Sequence, residues 1–213
     1  LLSRRFEEWF EEEEILHQPY GKTSIIVHSD HFSLIPESLF DINKKELISK
    51  ILFGTLTEKK IDCKKIDSLN CRLIYAFPVQ LYNSFNNYFD NFEILHPTLP
   101  LIKSQQSFNS EKNVILYFDL KSFYLISFDK KNLNLANCFQ LLHSNDIVYY
   151  TLTALKQLEI QPEKIQLILA GNILEKDEKE QVLQPYFKNI SYLKIQPEDN
   201  SVFKKLKQHQ YLQ

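Results

Sequence analysis

Glycine is scarce in this sequence, with three residues in 213 where an average composition would give about 15. A chain so poor in glycine is not expected to build a phosphate cradle, because only glycine lets several backbone amides converge on one anion without a Cβ in the way. Arginine is rare as well. Arg4, Arg5 and Arg72 are the only three, the rest of the 25 basic residues being lysine, so bidentate guanidinium contacts to phosphate or base edges are hardly available. With a net charge of −2 and a pI near 6.3, no nucleic acid partner is expected. The one basic cluster, Lys204, Lys205 and Lys207, reads as a solvated helix face or tail. Cys63, Cys71 and Cys138 form no Cys-x-x-Cys pair, and as an odd number they read as reduced thiols of a cytoplasmic protein. No apolar run approaches the length of a membrane span, and Phe6 leads directly into Glu7, Glu8 and Glu11 to Glu14, so neither insertion nor export is expected. Methionine is missing altogether, the initiator included, so the chain is expected to start inside a longer gene product.

What is present is the composition of a globular protein: 44% apolar, 24% charged and 13% aromatic. That is enough to bury a core without metals or disulfides. Phe6, Trp9, Phe10 and Leu16 recur at helical spacing among glutamates, predicting an amphipathic helix over 3–16. Short extended runs follow at Ser24 to His28 and Phe32 to Pro36, then a helix to about Phe53, capped by Asp41 or Asn43 and stopped by Gly54. Cys71 to Phe77 is a strand, Leu81 to Phe89 a helix and Phe92 to Leu95 a strand, with Pro97 and Pro100 as punctuation. The polar stretch 103–113 is the natural internal boundary, giving domains 1–108 and 109–213. Beyond it, Val114 to Leu120, Phe123 to Phe128 and Leu133 to Leu141 predict a three-strand antiparallel meander. A helix capped by Ser144 or Asn145 runs to about Leu158; a strand at Ile165 to Ala170, a helix over 174–186, a strand at Ser191 to Ile195 and a short helix at Phe203 to His209 complete the chain.

The order of elements in the second half, βββαβαβ, resembles one lobe of the actin-like ATPase fold, also called the sugar kinase/Hsp70/actin or ribonuclease H-like fold. Asn137-Cys138-Phe139, Asp146-Ile147-Val148-Tyr149-Tyr150, Leu158 and Leu167-Ile168-Leu169-Ala170-Gly171-Asn172 look like the bacterial domain of unknown function family numbered 3822. Leu34-Ile35-Pro36 with Leu39-Phe40, and His96, look like that family's first half. The resemblance spans about residues 6–195. It implies an α/β protein of two ribonuclease H-like lobes, the first lacking its opening strands.

Actin-like ATPases hold phosphates in two Asp-x-Gly turns and adenosine at a glycine pair. Here the first turn reads Asp119-Leu120-Lys121-Ser122, with lysine in the glycine's place, and Ala170-Gly171-Asn172 keeps one glycine of the pair. Asp119 and Gly171 are therefore the candidates for a residual nucleotide or metal site, and the expectation is a degenerate, non-enzymatic domain without cofactor. Asp146, Tyr149 and Tyr150 share a helix face and are the candidate patch for an unidentified protein partner, unless the helix uses them to pack on the meander. His28-Ser29-Asp30-His31 carries metal donors but lacks a second His/Cys cluster nearby, so it reads as a polar strand end and no metal site is expected. Cys63, beside Lys64 and Lys65, reads as an ordinary thiol rather than a nucleophile. The leading function is a scaffold or adaptor acting through protein contacts. The alternatives are a nucleotide-responsive switch with weak ATP binding and a divergent metal-dependent hydrolase built on Asp119, with Asp146 on the following helix as a second carboxylate in an incomplete set.

Overall fold

The computed structural model describes residues 2–17, 21–105, 108 and 110–193. The terminal helix expected at 203–209 and the lysine cluster there lie outside the described residues. Contacts divide the chain into two compact units between Leu99 and Pro100, so the polar stretch where a boundary at 108/109 is expected lies at the start of the second unit.

In the first unit α1 (Leu2–Glu12) ends in a 3-10 turn at Glu14–His17. Its buried Phe10 lies against Tyr88 of α3 (Val79–Tyr88), with ring centroids 4.0 Å apart. Strand β1 (Thr23–Ile26) pairs in parallel with β5 (Phe92–Leu95). A separate antiparallel sheet has the order β2-β4-β3, formed by β2 (Phe32–Pro36), β3 (Lys59–Ile66) and β4 (Cys71–Pro78). β4 is its centre and is buried from Leu73 to Phe77. Helix α2 (Lys45–Phe53) contributes Ile48 and Phe53 to the small core around Ile61, Ile74 and Ala76. Its Asp41 cap belongs to the 3-10 turn before it, where the carboxylate accepts from Asn43 N–H. β3 is missing from the sequence reading because lysines and aspartate occupy most of it, which obscures the two-residue alternation that marks a half-buried strand. The prolines at 97 and 100 do not merely punctuate: Pro100 sits in the first turn of α4 (Thr98–Ser104), where its missing N–H is no loss.

The second unit is a five-stranded sheet of order β10-β9-β6-β7-β8. β6 (Lys112–Phe118), β7 (Ser122–Asp129) and β8 (Asn132–Gln140) form the expected antiparallel meander. α5 (Ser144–Gln157) then crosses the sheet so that β9 (Gln166–Gly171) joins β6 in parallel, and β10 (Ile190–Tyr192) joins β9 in parallel. Alternation along β6 sends Val114, Leu116 and Phe118 into a core shared with Ile147 and Leu155 of α5, while Ile115 and Tyr117 take the opposite face, also buried. The N-cap of α5 is His143, one residue ahead of the expected Ser144 and two ahead of Asn145. The helix expected over 174–186 shrinks to α6 (Glu178–Gln181): Asp177 turns its carboxylate onto the N–H groups of Leu174 and Glu180 and so starts the helix late. Among the described residues no helix is long and apolar enough to cross a membrane.

Candidate functional site

Open α/β sheets place ligands beyond the carboxyl ends of their parallel strands, where strand-to-helix turns leave backbone groups free. In the second unit that end belongs to β6 and β9, and the register Phe118↔Gly171 brings the candidates Asp119 and Gly171 side by side. Asn172 N–H donates to Phe118 O at 2.8 Å, and Asp119 N–H donates to Ser122 O at 2.9 Å, closing the β6–β7 hairpin around Leu120 and Lys121. Gly171 has φ +80°, and a Cβ built on it would lie 2.3 Å from Phe118 O and 2.9 Å from the Tyr117 ring. The hydrogen that stands in for a side chain therefore faces strand β6. Lys179 of α6 donates from Nζ to Asn172 O and lies 5.4 Å from the centre of the Phe118 ring. Burial pushes the Tyr117 phenol well above its usual range, and the nearby Asp119 carboxylate adds to the effect.

Exposed leucines follow three of the four strands that end on this side. Leu120 after β6 is 80% exposed, Leu142 after β8 is 76% exposed and Leu174 after β9 is 57% exposed. Leu141 N–H donates to Lys121 O at 2.9 Å, which ties the end of β8 to the turn that carries Leu120. The sequence reading does not single out this trio or Lys179; the available signal is a leucine two or three residues past the end of each of these strands.

The candidate patch on α5 is divided by the structure. Asp146 Oδ2 accepts from His143 N–H at 2.8 Å and Leu142 N–H at 3.0 Å, so its carboxylate caps the helix. Those two backbone donors hold its pKa below the usual carboxylate range. Tyr150 stacks on Phe139 with centroids 4.6 Å apart and planes 16° from parallel. Tyr149 remains 65% exposed.

In the first unit, His96 is fully buried between the rings of Phe32 and Tyr75. Its Nε2–H donates to Ser29 O at 2.9 Å and its Nδ1 accepts from Thr98 N–H at 3.3 Å, which fixes a neutral tautomer with both nitrogens used. Burial lowers its pKa to about 4. His31 Nδ1 lies 2.5 Å from Asp30 Oδ1. Among the described residues no three His, Cys, Asp or Glu side chains are grouped to hold a metal ion. Cys63 and Cys138 are half-buried and Cys71 is buried, and no disulfide joins them.

Among solved structures the chain is similar to a Bacteroides thetaiotaomicron protein with actin-like ATPase fold and unknown function: TM-score 0.80, 22% identity, 96% of this chain and 80% of that one covered. It is also similar to a chain of a PilM–PilN type IV pilus biogenesis complex, with TM-score 0.53 and 10% identity over 91% of this chain and 74% of that one. At such identities the likeness establishes the fold, which is that of the actin-like ATPases. A search of curated proteins finds no match. A family model described as "Protein of unknown function (DUF3822)" matches residues 2–190, and the chain accordingly belongs to that family.

Proposed function

We propose that this protein is a non-catalytic member of the actin-like fold, acting in the cytoplasm as a scaffold or adaptor for another protein. The observation that carries this reading is the fit of Gly171 against β6. In a nucleotide site, glycine leaves room for a ligand; here the space that its missing Cβ would occupy is already taken by Phe118 O at 2.3 Å and by the Tyr117 ring. The neighbouring hairpin turn carries Leu120 and Lys121 and has no residue of positive φ, so its amides lack the left-handed turn that gathers N–H groups around an anion. The residues at this strand end do not fit a Mg-nucleotide.

The same end offers surface of another chemistry. Leu120, Leu142 and Leu174, with Tyr149 nearby in sequence on α5, are large apolar groups held in water, and such groups are stabilised by a protein partner that covers them. The pilus complex bears on this reading as an example of the fold in a protein whose structure is that of a complex with another protein. Three cysteines without a disulfide among them fit a reducing compartment.

Calorimetric titration of the purified protein with Mg-ATP is expected to give no saturable heat. Tight binding that Asp119→Ala abolishes would overturn the proposal in favour of a nucleotide-responsive switch.

A further inference from the structure

Each antiparallel array has one outward amide on an open edge that is occupied by a side chain. In the meander, the bond from Leu141 N–H to Lys121 O makes 121/141 a mutually bonded pair, so the same alternation bonds Phe139 and Asn137 to β7 and turns the N–H of Cys138 outward. That outward N–H donates to Asn137 Oδ1 at 2.8 Å. The first unit repeats the arrangement. Val79 N–H to Glu58 O fixes the alternation between β3 and β4, so Ile61 and Cys63 face outward on β3. Cys63 N–H donates to Asp62 Oδ1 at 2.8 Å, and Ile61 O accepts from Lys45 Nζ at 2.9 Å. On β2 the bond from Ala76 N–H to His31 O turns Phe32, Leu34 and Pro36 outward, and Pro36 has no N–H to offer.

Lysines further protect β3, whereas the nine residues of β8, Asn132 to Gln140, carry no charge, and among the described residues no strand pairs with its outer edge. β8 bulges at Asn134, between the pairs Ser127↔Leu135 and Phe128↔Leu133, so its regular neutral edge runs from Leu135 to Gln140. That stretch is self-complementary in an antiparallel pair, because two copies would meet without like charges. We propose that Asn137 is the residue that keeps β8 from adding to the β8 of a second copy: its side-chain oxygen occupies the Cys138 amide in the centre of the edge, and Asp62 does the same for β3.

The test uses the full chain, its Asn137→Ala variant and the conservative Asn137→Asp, which keeps an acceptor. Asn137 is exposed, so its truncation leaves the core intact. In Asn137→Ala, hydrogen exchange at the Cys138 amide is expected to quicken about tenfold and self-association by sedimentation velocity to tighten about tenfold, the effect of one regained edge hydrogen bond. Asn137→Asp should keep the slow exchange, and adding Asn134→Lys to Asn137→Ala should reverse the association, because an edge lysine resists pairing. Unchanged exchange in Asn137→Ala overturns the proposal. So does faster exchange without tighter association, association insensitive to Asn134→Lys, or a wild-type chain already dimeric through β8.

Discussion

Replacing Gly171 with alanine separates a glycine that serves a ligand from one that serves the sheet. Alanine would have to hold φ +80°, a region that costs a residue with a Cβ about 1–3 kcal/mol. Its Cβ would also stand 2.3 Å from Phe118 O, a fixed backbone atom of a fully buried residue, and 2.9 Å from the Tyr117 ring. Relief requires β9 to move away from β6, weakening the 2.8 Å bond from Asn172 N–H to Phe118 O at a cost of about 1 kcal/mol. Displacing the packed Tyr117 adds about 1–3 kcal/mol. The expected loss is therefore about 3–7 kcal/mol, a large share of the 5–15 kcal/mol typical of a whole domain. Gly54 is the control: it has φ +76° but nothing within 4 Å of a built Cβ, so Gly54→Ala should cost only the backbone strain of about 1–3 kcal/mol. The assay is urea unfolding followed by circular dichroism, with limited proteolysis to report on each unit separately. If Gly171→Ala costs less than about 1 kcal/mol, below the strain expected of the backbone alone, the packing argument fails.

Stability should fall as pH drops because of His96. Its pKa of about 4 in the folded chain lies below the ordinary value of 6.5, so the unfolded chain binds the extra proton first. The stabilisation from keeping the ring neutral is fully present above pH 6.5 and is lost as pH falls towards 4, about 3 kcal/mol in all. His96→Gln should flatten that part of the pH profile in urea titrations; an unchanged slope would refute the assignment. On α5, Tyr150→Ala should lower stability by about 2–4 kcal/mol through loss of the stack on Phe139, while Tyr149→Ala should leave it within about 0.5 kcal/mol. Equal effects of the two substitutions in thermal unfolding would contradict the geometry.

Sequence alone determined the elements whose signals are local. The β6–β7–β8 meander, α5, β9 and β4 are legible because their apolar spacing and flanking turn residues agree, and the fold family followed from their order together with short motifs. β3 escaped because its lysines and aspartate mask the alternation, and α6 was over-extended because the Asp177 cap that starts it late competes with an apolar spacing running from Leu174 to Tyr186. Tertiary structure decided where the candidate residues lie and what they touch. That Gly171 lies against Phe118 O depends on a parallel register between segments about fifty residues apart, which no local pattern encodes. The same holds for Asp146, whose i, i+3 and i+4 spacing to Tyr149 and Tyr150 is equally compatible with an exposed patch and with a helix cap beside an aromatic stack. Spacing along the chain fixes which residues share a face; only the strands and helices packed against that face determine whether it meets water, a ligand or the core.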